Sequence, residues 1–142
     1  MSVLKRNRSM SPLEFLNLAI KIRANIINLV MNEKYVAKRW RPVITFPMCN
    51  MAHGLIKNIR TANSIIPFRN SENKYNTQEA NERLHYQDLS IADCEQMLDM
   101  LQFMIDEKPA LITKLSAFSE DIIKEIALLR GWRLSDIKRF NS

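Results

Sequence analysis

Apolar residues return every three to four positions along most of this chain, and four stretches hold that pattern long enough to predict amphipathic helices. The first covers about 12–31. Ser11 can accept a hydrogen bond from a free backbone N–H, Pro12 suits the first helical position, and Glu14 can reach back as in a capping box. Leu16, Ile20, Ile27 and Val30 mark its stripe, with Phe15, Ala19, Ile22, Ile26 and Leu29 beside them. A second helix is predicted over 43–66, with Met51, Leu55, Ala62 and Ile66 inward and Ala52, Ile56, Ile59 and Ile65 flanking. Pro47 inside it would remove one hydrogen bond and kink it. Pro67 biases Ile66 away from helical geometry and ends the segment.

Residues 68–76 are polar and aperiodic, and read as a loop. Asn76 with Glu79 offers a second capping-box start, from which a helix can run unbroken over 77–107 through Ala80, Leu84, Ile91, Cys94, Leu98, Leu101 and Ile105. Pro109 closes the next connection. The fourth helix, 111–130, turns Leu115, Phe118, Ile122, Ile126 and Leu129 inward, and Gly131 stands where a left-handed residue would stop it. Four such helices on short connections predict an all-α, up-down-up-down antiparallel four-helix bundle over 11–135, with a basic arm at 1–10 and a tail at 136–142.

Composition narrows the alternatives. Two glycines and a 46% hydrophobic content disfavour turn-rich β architectures and glycine-rich phosphate loops. Cys49 and Cys94 lie far apart without C-x-x-C spacing, so they read as free thiols rather than a zinc site or a disulfide framework. No stretch approaches the roughly 18 apolar residues of a membrane span, and the first residues lack a signal-peptide apolar run. The expectation is a soluble, cytoplasmic protein with no membrane partner.

Charge changes the picture more. Residues 1–75 carry thirteen Lys/Arg against three Asp/Glu, a net +10, while residues 76–142 carry eight against twelve, a net −4. The basic half interleaves cations with aromatics: Lys34, Lys38, Arg39 and Arg41 surround Tyr35 and Trp40, and Lys57 and Arg60 follow on the second helix. Lys and Arg neutralise phosphates, and an indole or phenol stacks on an unpaired base for about 1–3 kcal/mol. Packing of Trp40 into the core is the competing reading. The acids of the third helix fit either internal pairing with the basic helices or contact with the basic face of a neighbouring copy.

Catalytic chemistry is sparse by comparison. His53 and His85 are the only histidines, and Glu82 three residues before His85 is one copy of a spacing that a dimetal bundle needs twice. Serines and threonines lack a nearby base. The expectation is no catalytic residues, no metal and no cofactor, with a metalloenzyme on Glu82 and His85 as the remote alternative.

Several motifs together resemble a known family. Trp40-Arg41 with Pro47, Asn58-Ile59, Ala62-Asn63, Tyr86-Gln87, Cys94-Glu95-Gln96, Leu101-Gln102, Ile105-Asp106 and above all Leu128-Leu129-Arg130-Gly131-Trp132-Arg133 are similar to the accessory variability determinant (Avd) of diversity-generating retroelements. More distantly, the chain resembles four-helix bundle proteins encoded in 23S rRNA intervening sequences. The resemblance covers about 15–135, and Pro42 departs from it. It implies a basic homopentamer that is not itself a catalyst and that binds reverse transcriptase and template RNA or cDNA to support mutagenic reverse transcription. It also adds Arg130 and Arg133 to Lys38, Arg39, Trp40, Arg41, Lys57 and Arg60 as nucleic-acid-binding candidates. A protein-interaction scaffold whose basic face docks an acidic partner is the alternative function.

Overall fold

A computed structural model describes residues 14–142; the basic arm at 1–10 and the Ser11-Pro12 helix start lie outside the described residues. The chain forms α1 (Glu14–Met31), a 3-10 turn at Lys38–Trp40, α2 (Thr45–Ser64), α3 (Thr77–Glu107), a second 3-10 turn at Pro109–Leu111 and α4 (Ile112–Phe140). No strand is present among the described residues, and no described helix is long and apolar enough to cross a membrane.

The helices pack as a square in chain order: α1 on α2, α2 on α3, α3 on α4 and α4 back on α1, with α2 and α4 on the diagonal. Neighbours run antiparallel. Phe15 near the start of α1 stacks on Trp132 late in α4, while Lys21 further along α1 pairs with Asp121 earlier in α4. The all-α four-helix bundle expected from the sequence is therefore the observed fold.

One periodicity runs through all four elements. The inward positions are Phe15, Ala19, Ile22, Ile26 and Leu29 on α1, and Thr45, Met48, Ala52, Leu55, Ile59 and Ala62 on α2. On α3 they are Ala80, Arg83, Gln87, Ser90, Cys94, Met97, Leu101 and Met104. On α4 they are Leu115, Ile122, Glu125, Leu129 and Asp136, with Phe118 and Trp132 half-buried between them. Each set steps by alternating threes and fours, the 3.5-residue repeat of helices that supercoil gently about one another at roughly 20°.

That repeat corrects the stripes read from apolar residues. On α1 the buried line follows the flanking set Phe15, Ala19, Ile22, Ile26 and Leu29 together with Val30, and it leaves Ile20 37% exposed. On α3 the line passes through Arg83, Gln87 and Ser90, while the expected Leu84, Leu98 and Ile105 are only half-buried. Ile66, expected in the core, lies outside α2 and is 82% exposed.

The helix ends also differ from expectation. Pro47 is the third residue of α2, in the first turn, where its missing N–H has no intrahelical partner to lose, so no kink follows. Thr45, fully buried, donates its hydroxyl to the Val30 carbonyl at 2.7 Å and thereby ties the start of α2 to the last turn of α1. At the start of α3, Asn76 Oδ1 accepts from the Glu79 N–H at 2.9 Å as the capping pattern required. Glu79, however, does not complete a reciprocal box: its carboxylate accepts from the Phe68 N–H at 2.8 Å and pins the preceding loop.

The largest correction is at the end of the chain. Gly131 does not stop α4, has no positive φ, and sits in a helix that continues to Phe140, so the expected tail at 136–142 is mostly helix. Packing beyond the glycine outweighs its propensity. Trp132 stacks on Phe15, Arg133 pairs with Asp88, Asp136 is buried, and Phe140 meets Tyr75 edge-on at 5.1 Å.

A Cβ added at Gly131 would meet nothing within 4 Å. Gly131→Ala is therefore expected to stabilise the bundle by about 0.5–1 kcal/mol, seen as a raised denaturation midpoint. A left-handed stop at this residue would instead make the same substitution destabilising.

Candidate nucleic-acid interface

The outer face of α2 repeats the inner periodicity with a different chemistry. Phe46, Asn50, His53, Lys57, Arg60 and Ser64 are all exposed and again step by fours and threes, so they form one row along the helix. α2 contains no Asp or Glu. The nearest acid across the α2–α3 seam, Asp93, is turned inward: it accepts from Asn58 Nδ2 at 2.9 Å and lies against Gly54, where a Cβ would come within 2.8 Å of its Oδ2. Burial raises the Asp93 pKa, and the bond from Asn58 partly offsets that rise. Among the described residues Lys57 and Arg60 thus face solvent without a carboxylate partner.

The structure separates the remaining candidates. Lys38 and Arg41 share Glu33, at 3.3 and 3.8 Å, beside the 3-10 turn that precedes α2, and Arg39 between them is exposed and unpaired among the described residues. Arg60 lies about 22 Å further along the α2 axis than Thr45 at its start. Arg130 and Arg133 face α3 instead. Arg133 meets Asp88 at 2.6 Å and Arg130 meets Glu95 at 3.7 Å, on the far side of the bundle diagonal from α2. Asp88 and Glu95 of α3 therefore neutralise arginines of α4 rather than cations of the basic half.

Trp40 packs partly against the core. It is half-buried, with its ring edge-on to Phe103 at 6.2 Å, and it also lines a cleft of about 360 Å³. This cleft sits where the α1–α2 and α3–α4 connections meet. Tyr35, Arg39, Glu107 and Lys108 share the lining, and the Lys34 and Lys114 ammonium groups lie 5.6 and 5.4 Å from the Tyr35 ring centroid. Lys34, Tyr35, Arg39 and Trp40 were visible in the sequence because they are contiguous. Glu107, Lys108 and Lys114 were not, since only the antiparallel return of α3 into α4 brings them to the same end.

Buried ionisable groups lie elsewhere, in the core. Glu125 is fully buried, and neither carboxylate oxygen has a hydrogen-bond partner. Burial first, and the negative charge of Glu14 second, push its pKa up from near 4.5 to about 8. Burial likewise raises the thiols of Cys49 and Cys94, the charge of Glu125 adding to the effect at Cys94. Such shifts mark functional sites when they occur in clefts, but neither Glu125 nor Cys94 lines the Trp40 cleft. Glu82 and His85 are both exposed, and among the described residues no three of His, Cys, Asp and Glu gather as a metal site would require.

No protein-family model matches the chain, and comparison with curated proteins and with solved structures finds no match either.

The Glu125 environment makes a test of its own. As pH rises from about 4.5 to about 8 the unfolded chain gives up the Glu125 proton while the folded chain keeps it, so stability falls across that window. The slope contributed approaches about 1.4 kcal/mol per pH unit. Glu125→Gln should flatten this decline in urea denaturation measured between pH 5 and pH 8, and an unchanged slope would show that Glu125 is not held protonated.

Proposed function

We propose that this protein is a non-enzymatic accessory subunit that binds template RNA or cDNA, together with reverse transcriptase, in support of mutagenic reverse transcription by a diversity-generating retroelement. The observation that supports it most directly is the exposed row of α2, where Lys57 and Arg60 lie on a helix with no acid and face no neutralising carboxylate among the described residues. Unpaired cations in a row are what a phosphate backbone needs, since each neutralised phosphate releases condensed counterions. Of the α3 carboxylates, Asp88 and Glu95 are held by α4 arginines and Asp93 by Asn58.

The reverse-transcriptase partner and a pentameric assembly follow from the motif resemblance, with its densest match at Leu128–Arg133. In such a ring each subunit adds one cationic row, and weak binding at each row gains by multivalency. Lys38, Arg39 and Arg41 lie apart from that row, at the turn before α2, where Arg39 lines the Trp40 cleft and Lys38 and Arg41 share Glu33.

The test is a salt titration of labelled RNA binding. Lys57→Glu with Arg60→Glu is expected to weaken binding and to reduce the slope of log affinity against log salt by about 0.7 for each phosphate that is no longer neutralised. Co-purification with reverse transcriptase should survive the double substitution. Retained RNA binding with loss of the enzyme partner would instead favour a scaffold that docks an acidic protein.

A further inference from the structure

The cleft beside Trp40 is built unlike a phosphate track. Its floor includes the buried side chains of Ile44 and Leu111, and its walls include the rings of Trp40 and Tyr35. At about 360 Å³ it is at the small end of ligand pockets, large enough for one nucleotide unit. A flat aromatic wall over an apolar floor suits a base rather than a phosphate, because every base offers a π-face to stack.

Two carboxylates line this otherwise basic place, and they are not equivalent. Glu33 is occupied by Lys38 and Arg41. Glu107 is exposed and, among the described residues, makes no ion pair and no side-chain hydrogen bond, although Lys108 follows it directly in the chain. A free carboxylate repels a phosphate, so at this position it fits a ligand that presents N–H donors. An ionised carboxylate accepts on both oxygens. Guanine is the base that matches it best: its N1–H and its exocyclic amino group are adjacent and point the same way. Uracil offers a single N–H between two carbonyl oxygens, which a carboxylate disfavours.

We propose that the cleft holds one unpaired guanine of a single-stranded nucleic acid. The base lies against Trp40 and donates N1–H and the amino N–H to Glu107, and the flanking phosphates meet Lys34, Arg39 and Lys108. This rests on the nucleic-acid reading above and gives it a base preference that the cationic row of α2 cannot supply. A duplex is excluded from the cleft, because its guanines use the same edge in pairing.

Two oligoribonucleotides of about twelve residues, one of uridine throughout and one with a single central guanosine, would be titrated against the full chain by fluorescence anisotropy. The guanosine is expected to raise affinity about tenfold. Glu107→Gln, a substitution at an exposed position, should remove most of that preference by bringing all-uridine affinity up toward that of the guanosine-containing strand, since the carboxylate that repels phosphate is gone. Equal binding of the two oligonucleotides by the unaltered protein overturns the guanine assignment but leaves the nucleic-acid reading standing. A preference that persists in Glu107→Gln overturns the role given to Glu107. If neither oligonucleotide nor structured RNA binds at low salt, the nucleic-acid reading itself fails, and the base site falls with it.

Discussion

The bundle depends on one buried charge pair. Arg83 Nε meets Asp136 Oδ2 at 2.7 Å, and both side chains are less than a tenth exposed. Stripping two ions of water is expensive, and mutual attraction offsets the penalty only where the remaining polar groups are also satisfied. Here they largely are. Arg83 donates from its terminal nitrogen to the carbonyls of Ala62 and Ile65, at 3.2 and 3.0 Å, and so covers the open end of α2. Asp136 also accepts from Gln87 at 2.6 Å and from Arg139 at 3.0 Å. The guanidinium lies 5.3 Å from the Trp132 ring centroid, and Trp132 stacks on Phe15. One cation therefore connects all four helices. It also fixes the length of α4, because Asp136 lies five residues beyond the glycine that would otherwise be a natural stopping place.

The same end of the core is where polarity gathers. Arg83, Gln87, Ser90, Glu125 and Asp136 occupy inward positions that an all-apolar bundle would fill with leucine, while the α3 half from Met97 to Met104 is hydrophobic. A polar layer of this kind discriminates among helix registers, since a slip by one step leaves ions facing hydrocarbon. It has an electrostatic effect outside the core as well. Asp136 is engaged internally, and two acids of α3, Asp88 and Glu95, are held by α4 arginines, so neither of those two offsets the cations of α2.

Four helices, their order and most of their boundaries were legible in the sequence, because Asn76, Pro67 and Pro109 punctuate long amphipathic runs and those signals act locally. The rotation of the helices was less legible. A stripe judged by hydrophobicity follows Leu84, Leu98 and Ile105, whereas the true seam runs through Arg83, Gln87 and Ser90, whose burial depends on partners as far away in the chain as Asp136. Gly131 misled for the same reason: its local preference is real, but the contacts of Trp132 with Phe15 and of Asp136 with Arg83, made to other helices, override it. At the candidate site, the cations around Trp40 were readable as a contiguous cluster. The cleft was not, because Glu107 and Lys108 reach it only through the fold.

The alternating three-and-four spacing on α2 has an outward counterpart. Phe46 to Ser64 spans 18 residue steps, or about 27 Å, and every member of that row returns to the same side. An ideal straight helix drifts by roughly 20° per seven residues relative to such a repeat, and supercoiling cancels the drift. The surface therefore behaves as a straight ruler rather than a spiral thread. A flexible polymer laid along it would not need to wind to keep contact, and the length such a polymer could follow would be set by the length of this one helix.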